Sequence, residues 1–178
     1  MNAPTATAVV AAVAQISVAL AFLSIPLLRH RFGPAAKAAA CTELGRQGVR
    51  PQVLEENGLR FDASGHEWWA PGAFAAVNLA VAALNLAGGS WGTTLTWVFS
   101  SIAFLANLAI LHSQLGAARS VAAAFRRKGD PELVRIDVPA FLKAAEGAFP
   151  AWTRTLQNVR HAFVFAGSAL AVTAVTLV

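Results

Sequence analysis

Between positions 68 and 118 the chain runs for 51 residues without a single Asp, Glu, Lys or Arg. Crossing the hydrocarbon core of a bilayer takes roughly 20 apolar residues at a helical rise of about 1.5 Å each. The run is therefore too long for one crossing and long enough for two. Its middle reads Gly88-Gly89-Ser90-Trp91-Gly92, a turn signal, which predicts a helical hairpin with arms at 69–87 and 93–112. Two further uncharged runs, 1–28 and 161–178, predict spans at about 5–28 and 161–178. All 14 Lys/Arg and all 9 Asp/Glu fall between these runs, and only 13% of the chain is charged. A soluble domain carries about 25%. The fold class that follows is all-α: a polytopic membrane protein, a four-transmembrane-helix bundle forming one domain over 1–178.

The two charged segments, 29–68 and 113–160, form a small helical cap on that bundle. They hold 6 basic against 5 acidic and 8 basic against 4 acidic residues. An even number of crossings puts both on one face, and the excess of Lys and Arg assigns that face to the cytoplasm. Both termini and the Gly-rich turn then face outward, in a cell membrane. The first span has Arg29 and Arg31 after it and no basic residue before it. A cleavable signal peptide has the opposite order, so an uncleaved anchor is expected. The basic residues flank spans, which accounts for a pI near 10.7 through topology and anionic headgroups. Nucleic acid is excluded as a partner. Cys41 has no second Cys with which to pair.

Within the charged segments, Pro51–Asn57 reads as one or two helical turns stopped by Gly58. The third helix is expected to run on through "SQLGAARSVAAAFRRKG". Asp130-Pro131 and Asp137-x-Pro139 are helix starts, with Asp capping and Pro in the first turn. Pro150 opens the last helix. In the first helix, Pro26 predicts a kink, and "FGPAAKAAACTELGRQG" reads as an alanine-rich continuation that Gly45 and Gly48 interrupt.

Each of the four histidines falls at the predicted cytoplasmic end of a different span: His30, His66, His112 and His161. Helical bundles build metal and haem sites from imidazoles on facing helices. A metal or haem held by these four, with Glu67 and Asp62 nearby, is one reading, although no metal-signature spacing is present and no cofactor is favoured. The commoner reason for histidines at such places is that the spans exclude polar residues. General acid–base use is the stronger functional reading, since imidazole titrates near neutral pH. The candidates are His66, Glu67, His112, Arg160 and His161. Arg160 would bind an anionic substrate or stabilise an enolate, or simply snorkel to phosphate. "HEWW" at 66–69 is either an acid–base rim or an interfacial collar, because Trp belongs at headgroup depth. Trp91 and Trp152 suit the collar as well. Gln15, Asn78, Asn85 and Asn107 are the amides inside the spans. By residue count, Asn78 lies level with Asn107, and Gln15 with Asn85. They either hydrogen-bond between helices or line a polar cavity. Trp69, Asn78, Asn107 and Asn158 are the substrate-contact candidates. Gly167-x-x-x-Ala171 offers a small-residue packing face.

The proline and basic end of "ALAFLSIPLLRHRFGPAA", the helical hairpin, and "WTRTLQNVRHAFVFAGSALAV" with Trp152, Asn158 and Arg160 together resemble the small four-helix membrane family that includes anthrone oxygenases. The resemblance implies oxidation of an aromatic, lipophilic small molecule without a dedicated metal, with Asn158 and Arg160 as candidate site residues. His112-Ser113-Gln114 stands where such proteins often carry Asn after the third helix. The expected activity is thus a membrane-embedded tailoring oxidase or oxygenase, acting on a lipophilic molecule at the cytoplasmic interface. A non-catalytic anchor or accessory subunit, with a cytoplasmic protein partner, is the rival. A small oligomeric transporter comes third, since no span carries a charge near its middle and four spans would suffice only as a homo-oligomer.

Overall fold

The computed structural model of the chain describes residues 4–58 and 65–177, with the backbone alone of His66. Asp62 and the side chain of His66 lie outside the described residues. Eight α-helices occur in the described residues: α1 (Ala6–Arg46), α2 (Val53–Glu56), α3 (Gly65–Leu86), α4 (Trp91–Leu115), α5 (Ala117–Lys128), α6 (Pro131–Val134), α7 (Val138–Gly147) and α8 (Trp152–Thr176). No strand occurs among the described residues. Four of the helices, α1, α3, α4 and α8, are long and apolar enough to cross a membrane.

α1 runs past the end of its span near residue 28, through Pro26 and Pro34 to Arg46: the alanine-rich continuation read from Phe32 on is helical. Charge marks where an apolar run ends, not where a helix ends, and alanines at 35, 36 and 38–40 are strong helix formers. The helix stops in a left-handed glycine cap: Gly48 has φ +69°, while its N–H donates to Gly45 O and that of Val49 donates to Leu44 O, at 3.1 and 2.9 Å. Conversely, the expected long third helix is broken at Gly116 into α4 and α5. The hairpin turn uses the same glycine cap. Gly88 has φ +70°, its N–H donates to Asn85 O, and that of Gly89 donates to Leu84 O. The Asp130 and Asp137 caps form as read, accepting from Glu132 N and Ala140 N.

The chain divides into two compact units: Met1–Ile25, Gly65–Leu111 and Arg154–Val178 form the first; Pro26–Ser64 and His112–Thr153 form the second. In the first unit the contacts fix an antiparallel ring of α1, α3, α4 and α8. Phe22 meets Phe74, with ring centroids 4.5 Å apart, and Asn85 reaches Gln15, joining α1 to α3. Asn85 also reaches Thr96, joining α3 to α4. Phe104 meets Phe165 edge-on at 4.9 Å, joining α4 to α8. Gly167 closes the ring on α1: a Cβ there would stand 3.0 Å from Val18 Cγ2 and 3.3 Å from Ala14 O. This is the close backbone approach that small residues permit between apolar helices. Val18, Phe22, Ala103 and Val164 fill the centre.

The second unit has its own apolar core, built from Ala36, Ala40 and Leu44 of α1 with Val53, Leu54, Phe125, Leu133 and Phe141 among others. Its surface is laced with ion pairs: Lys37 with Glu55, Arg46 with Glu43, and Arg50 with both Glu56 and Glu132. Arg50 Nε donates to both Glu132 oxygens, at 2.9 and 3.1 Å.

Candidate functional site

Only Glu67, Arg154 and Arg160 bring charge to the first unit. A unit so poor in charge makes each buried polar group conspicuous, because burial without a partner costs free energy. Three groups of them stand out.

Near the Gly88 turn, Asn85 Nδ2 donates to Gln15 Oε1 at 3.1 Å and to Thr96 Oγ1 at 2.8 Å, and Gln15 Nε2 donates to Thr96 Oγ1 at 2.9 Å. All three side chains are buried. The closed triangle ties α1, α3 and α4 together. Gly92 makes room for it: a Cβ at that position would stand 2.5 Å from Asn85 Oδ1. Gln15 and Asn85 are level by residue count and do meet. Thr96, the third corner, carries no sequence signal that separates it from the other hydroxyls of α4.

Toward the other end of the unit, His161 Nδ1 lies 2.8 Å from Asn107 Oδ1, and Asn107 Nδ2 donates to His161 O at 3.5 Å. An amide oxygen only accepts, so Nδ1 carries the proton of the neutral ring and the basic lone pair falls on Nε2. Asn107 is 1% exposed and His161 7%. In the cleft of about 350 Å³ between α4 and α8, lined by Trp97, Ser100, Phe104 and Ser168, Ser168 Oγ is buried and has no hydrogen-bond partner among the described residues.

The third group is a single residue. Arg160 is 9% exposed and forms no hydrogen bond or ion pair with any described residue. It lines a groove of about 280 Å³ between α1 and α8, walled by Leu20, Ala21, Leu156, Val159 and Phe163. Leu20, Val159 and Phe163 are 62%, 41% and 53% exposed, so the groove opens on the outer, apolar surface of the unit. The two hydroxyls on its α1 wall are spent on their own helix: Ser17 Oγ donates to Val13 O at 2.9 Å and Ser24 Oγ to Ala21 O at 2.6 Å. The residues recur at helical spacing, 17-20-21-24 on α1 and 156-159-160-163 on α8, so each stripe can be read from the sequence. Which stripe faces which cannot.

Trp69 is exposed, as are Trp91 and Trp152, which suits an aromatic collar. Asn158, two residues before Arg160, is exposed. Asn78 is buried but donates to Phe74 O of its own helix. His30 and His112 are exposed and belong to the second unit, whereas His161 belongs to the first. Glu67 is half-buried in the first turn of α3. Among the described residues, no three of His, Cys, Asp and Glu stand where they could hold a metal ion. No family model matches the chain, and comparison with the curated proteins and with the solved structures gives no match.

Proposed function

We propose that the chain is a four-span integral membrane protein of the cell membrane that draws a lipophilic small molecule out of the bilayer into the groove between α1 and α8 and acts on it there. The charged segments face the cytoplasm and both termini face outward. The observation that carries this reading is Arg160. Its side chain is largely buried among apolar residues and has no ion pair with a described residue, while its guanidinium nitrogens still reach the groove surface. An ionisable residue within a membrane span is a functional-site candidate by default. The groove beside it opens sideways, toward the space lipid would fill.

Arg160 and His161 are consecutive. A helix turns each successive side chain by about 100°, so Arg160 faces the α1 groove while His161 faces α4. A ligand whose polar end is held at Arg160 lies at the depth of the Asn107-held imidazole. That imidazole is the group suited to take or give a proton. Oxidative tailoring of a lipophilic substrate is the reaction class favoured by the resemblance to anthrone oxygenases.

The test is to extract the protein, purified in native-lipid nanodiscs, and compare its bound small molecules by mass spectrometry with those of Leu20→Trp, which fills the groove mouth. A species present with the unaltered protein and lost from Leu20→Trp supports the reading. Identical extracts overturn it.

A further inference from the structure

We infer that the groove between α1 and α8 is selective for a single-chain amphiphile with a carboxylate head, the carboxylate pairing with the Arg160 guanidinium and the chain lying along Leu20, Leu156, Val159 and Phe163. This rests on the reading of the groove as a ligand site and adds the chemical class of its occupant.

Three observations carry it. First, Arg160 is nine-tenths buried, lines the groove and has no ion pair or hydrogen bond to a described residue. A negatively charged occupant of the groove would complete its pairing. A guanidinium presents a planar fork that two carboxylate oxygens satisfy together. Second, the groove supplies one cation and little else for a head to bind. Ser17 and Ser24 already donate their hydroxyl protons to Val13 O and Ala21 O. A phosphate monoester can take the same fork but carries about −1.5 to −2 charge at pH 7, more than one guanidinium neutralises. A carboxylate carries a single charge, which one guanidinium matches. Third, about 280 Å³ is at the small end of ligand sites, a volume for one apolar segment rather than a two-chain lipid. Most of the wall is apolar, and Leu20, Val159 and Phe163 are exposed, so the tail need not leave the lipid environment to bind.

The experiment is equilibrium binding of radiolabelled palmitate to the full chain in phosphatidylcholine nanodiscs, competed with hexadecanol and with palmitoyl lysophosphatidate. The expected result is one saturable site that prefers palmitate to hexadecanol by about 10- to 100-fold, the range for a hydrogen-bonded charge pair. Arg160→Gln removes that preference and leaves hexadecanol binding unchanged. Leu20→Trp abolishes binding of both. Equal affinity for palmitate and hexadecanol, or tighter binding of lysophosphatidate, overturns the carboxylate claim. Loss of both ligands in Leu20→Trp would then show that the groove reading stands without it. No saturable binding of either ligand overturns both. Should Arg160→Gln fail to fold, the head-group comparison in the unaltered protein decides alone.

Discussion

Asn107 and His161 hold each other twice: imidazole Nδ1 to amide Oδ1 at 2.8 Å, and amide Nδ2 to the histidine carbonyl at 3.5 Å. The pair joins α4 to α8 in a unit where both side chains are buried. Asn107→Leu leaves the Nδ1–H without its acceptor. Interhelical polar pairs in membranes are worth about 0.6 kcal/mol on average and up to about 1.7, while an orphaned buried donor costs about 1–3. Asn107→Leu is expected to destabilise by about 1–2 kcal/mol, and most of that should vanish in the Asn107→Leu, His161→Phe double variant. Reversible unfolding in mixed micelles reads both. Additive losses would show that the two side chains are not coupled.

Gly92→Ala should cost more than its added methyl suggests. The new Cβ would stand 2.5 Å from Asn85 Oδ1, so Asn85 has to leave the triangle it forms with Gln15 and Thr96. Overpacking of this kind costs about 1–3 kcal/mol. Removing the obstacle with Asn85→Ala should make Gly92→Ala nearly neutral in that background, a non-additivity that a double-mutant cycle measures. An equal cost of Gly92→Ala in both backgrounds would contradict the packing described.

Ser168→Ala has the opposite sign. The hydroxyl is buried and makes no hydrogen bond to a described residue; removing an unsatisfied polar atom gives back its desolvation cost. The variant should be as stable as the parent or more stable by up to about 1 kcal/mol. A marked loss of stability, by the same unfolding assay, would mean that the hydroxyl has a partner.

In the second unit, Asp130 caps α6 and carries a pH dependence. Asn57 Nδ2 donates to its Oδ2 at 3.0 Å and Glu132 N to its Oδ1 at 2.8 Å. These bonds, the Asn57 side chain first, hold its carboxyl below the usual carboxylate range. A depressed folded value means that the cap contributes stability above the unfolded pKa, about 3.9. That contribution is lost as pH falls through the lower folded value. Asn57→Ala should move the Asp130 titration upward, toward the ordinary range, as followed by carboxyl-carbon NMR. An unmoved titration would contradict the assigned cause.

How much of this could be read from the sequence depends on which force sets each feature. The four long helices follow from hydropathy alone, because uncharged runs of this length have few alternatives. The caps at Asp130, Asp137, Gly58 and Gly88 follow from local chemistry. The extension of α1 to Arg46 was legible in its alanines, and its stop in the glycines at 45 and 48. The break at Gly116 was not, because a lone glycine in a helical pattern is usually tolerated. Polar partners were legible only as depth. Gln15 and Asn85 lie level and meet, but Asn78, level with Asn107, turns to Phe74 O of its own helix while Asn107 goes to His161. Residue counts give height along a helix and not rotation about it. For the same reason Asn158 and Arg160 look equivalent in the sequence, whereas in the fold one is exposed and the other lines the groove.

Photo-crosslinking of the nanodisc-embedded protein with a palmitate analogue bearing a diazirine near its carboxylate, with adducts located by mass spectrometry, reads occupancy of the groove directly. Adducts are expected to concentrate on Leu20, Leu156, Val159 and Phe163 and to be competed away by excess palmitate. Adducts spread evenly over exposed apolar side chains far from the groove, such as Leu105, Leu108 and Leu170, and indifferent to competitor, would contradict that occupancy.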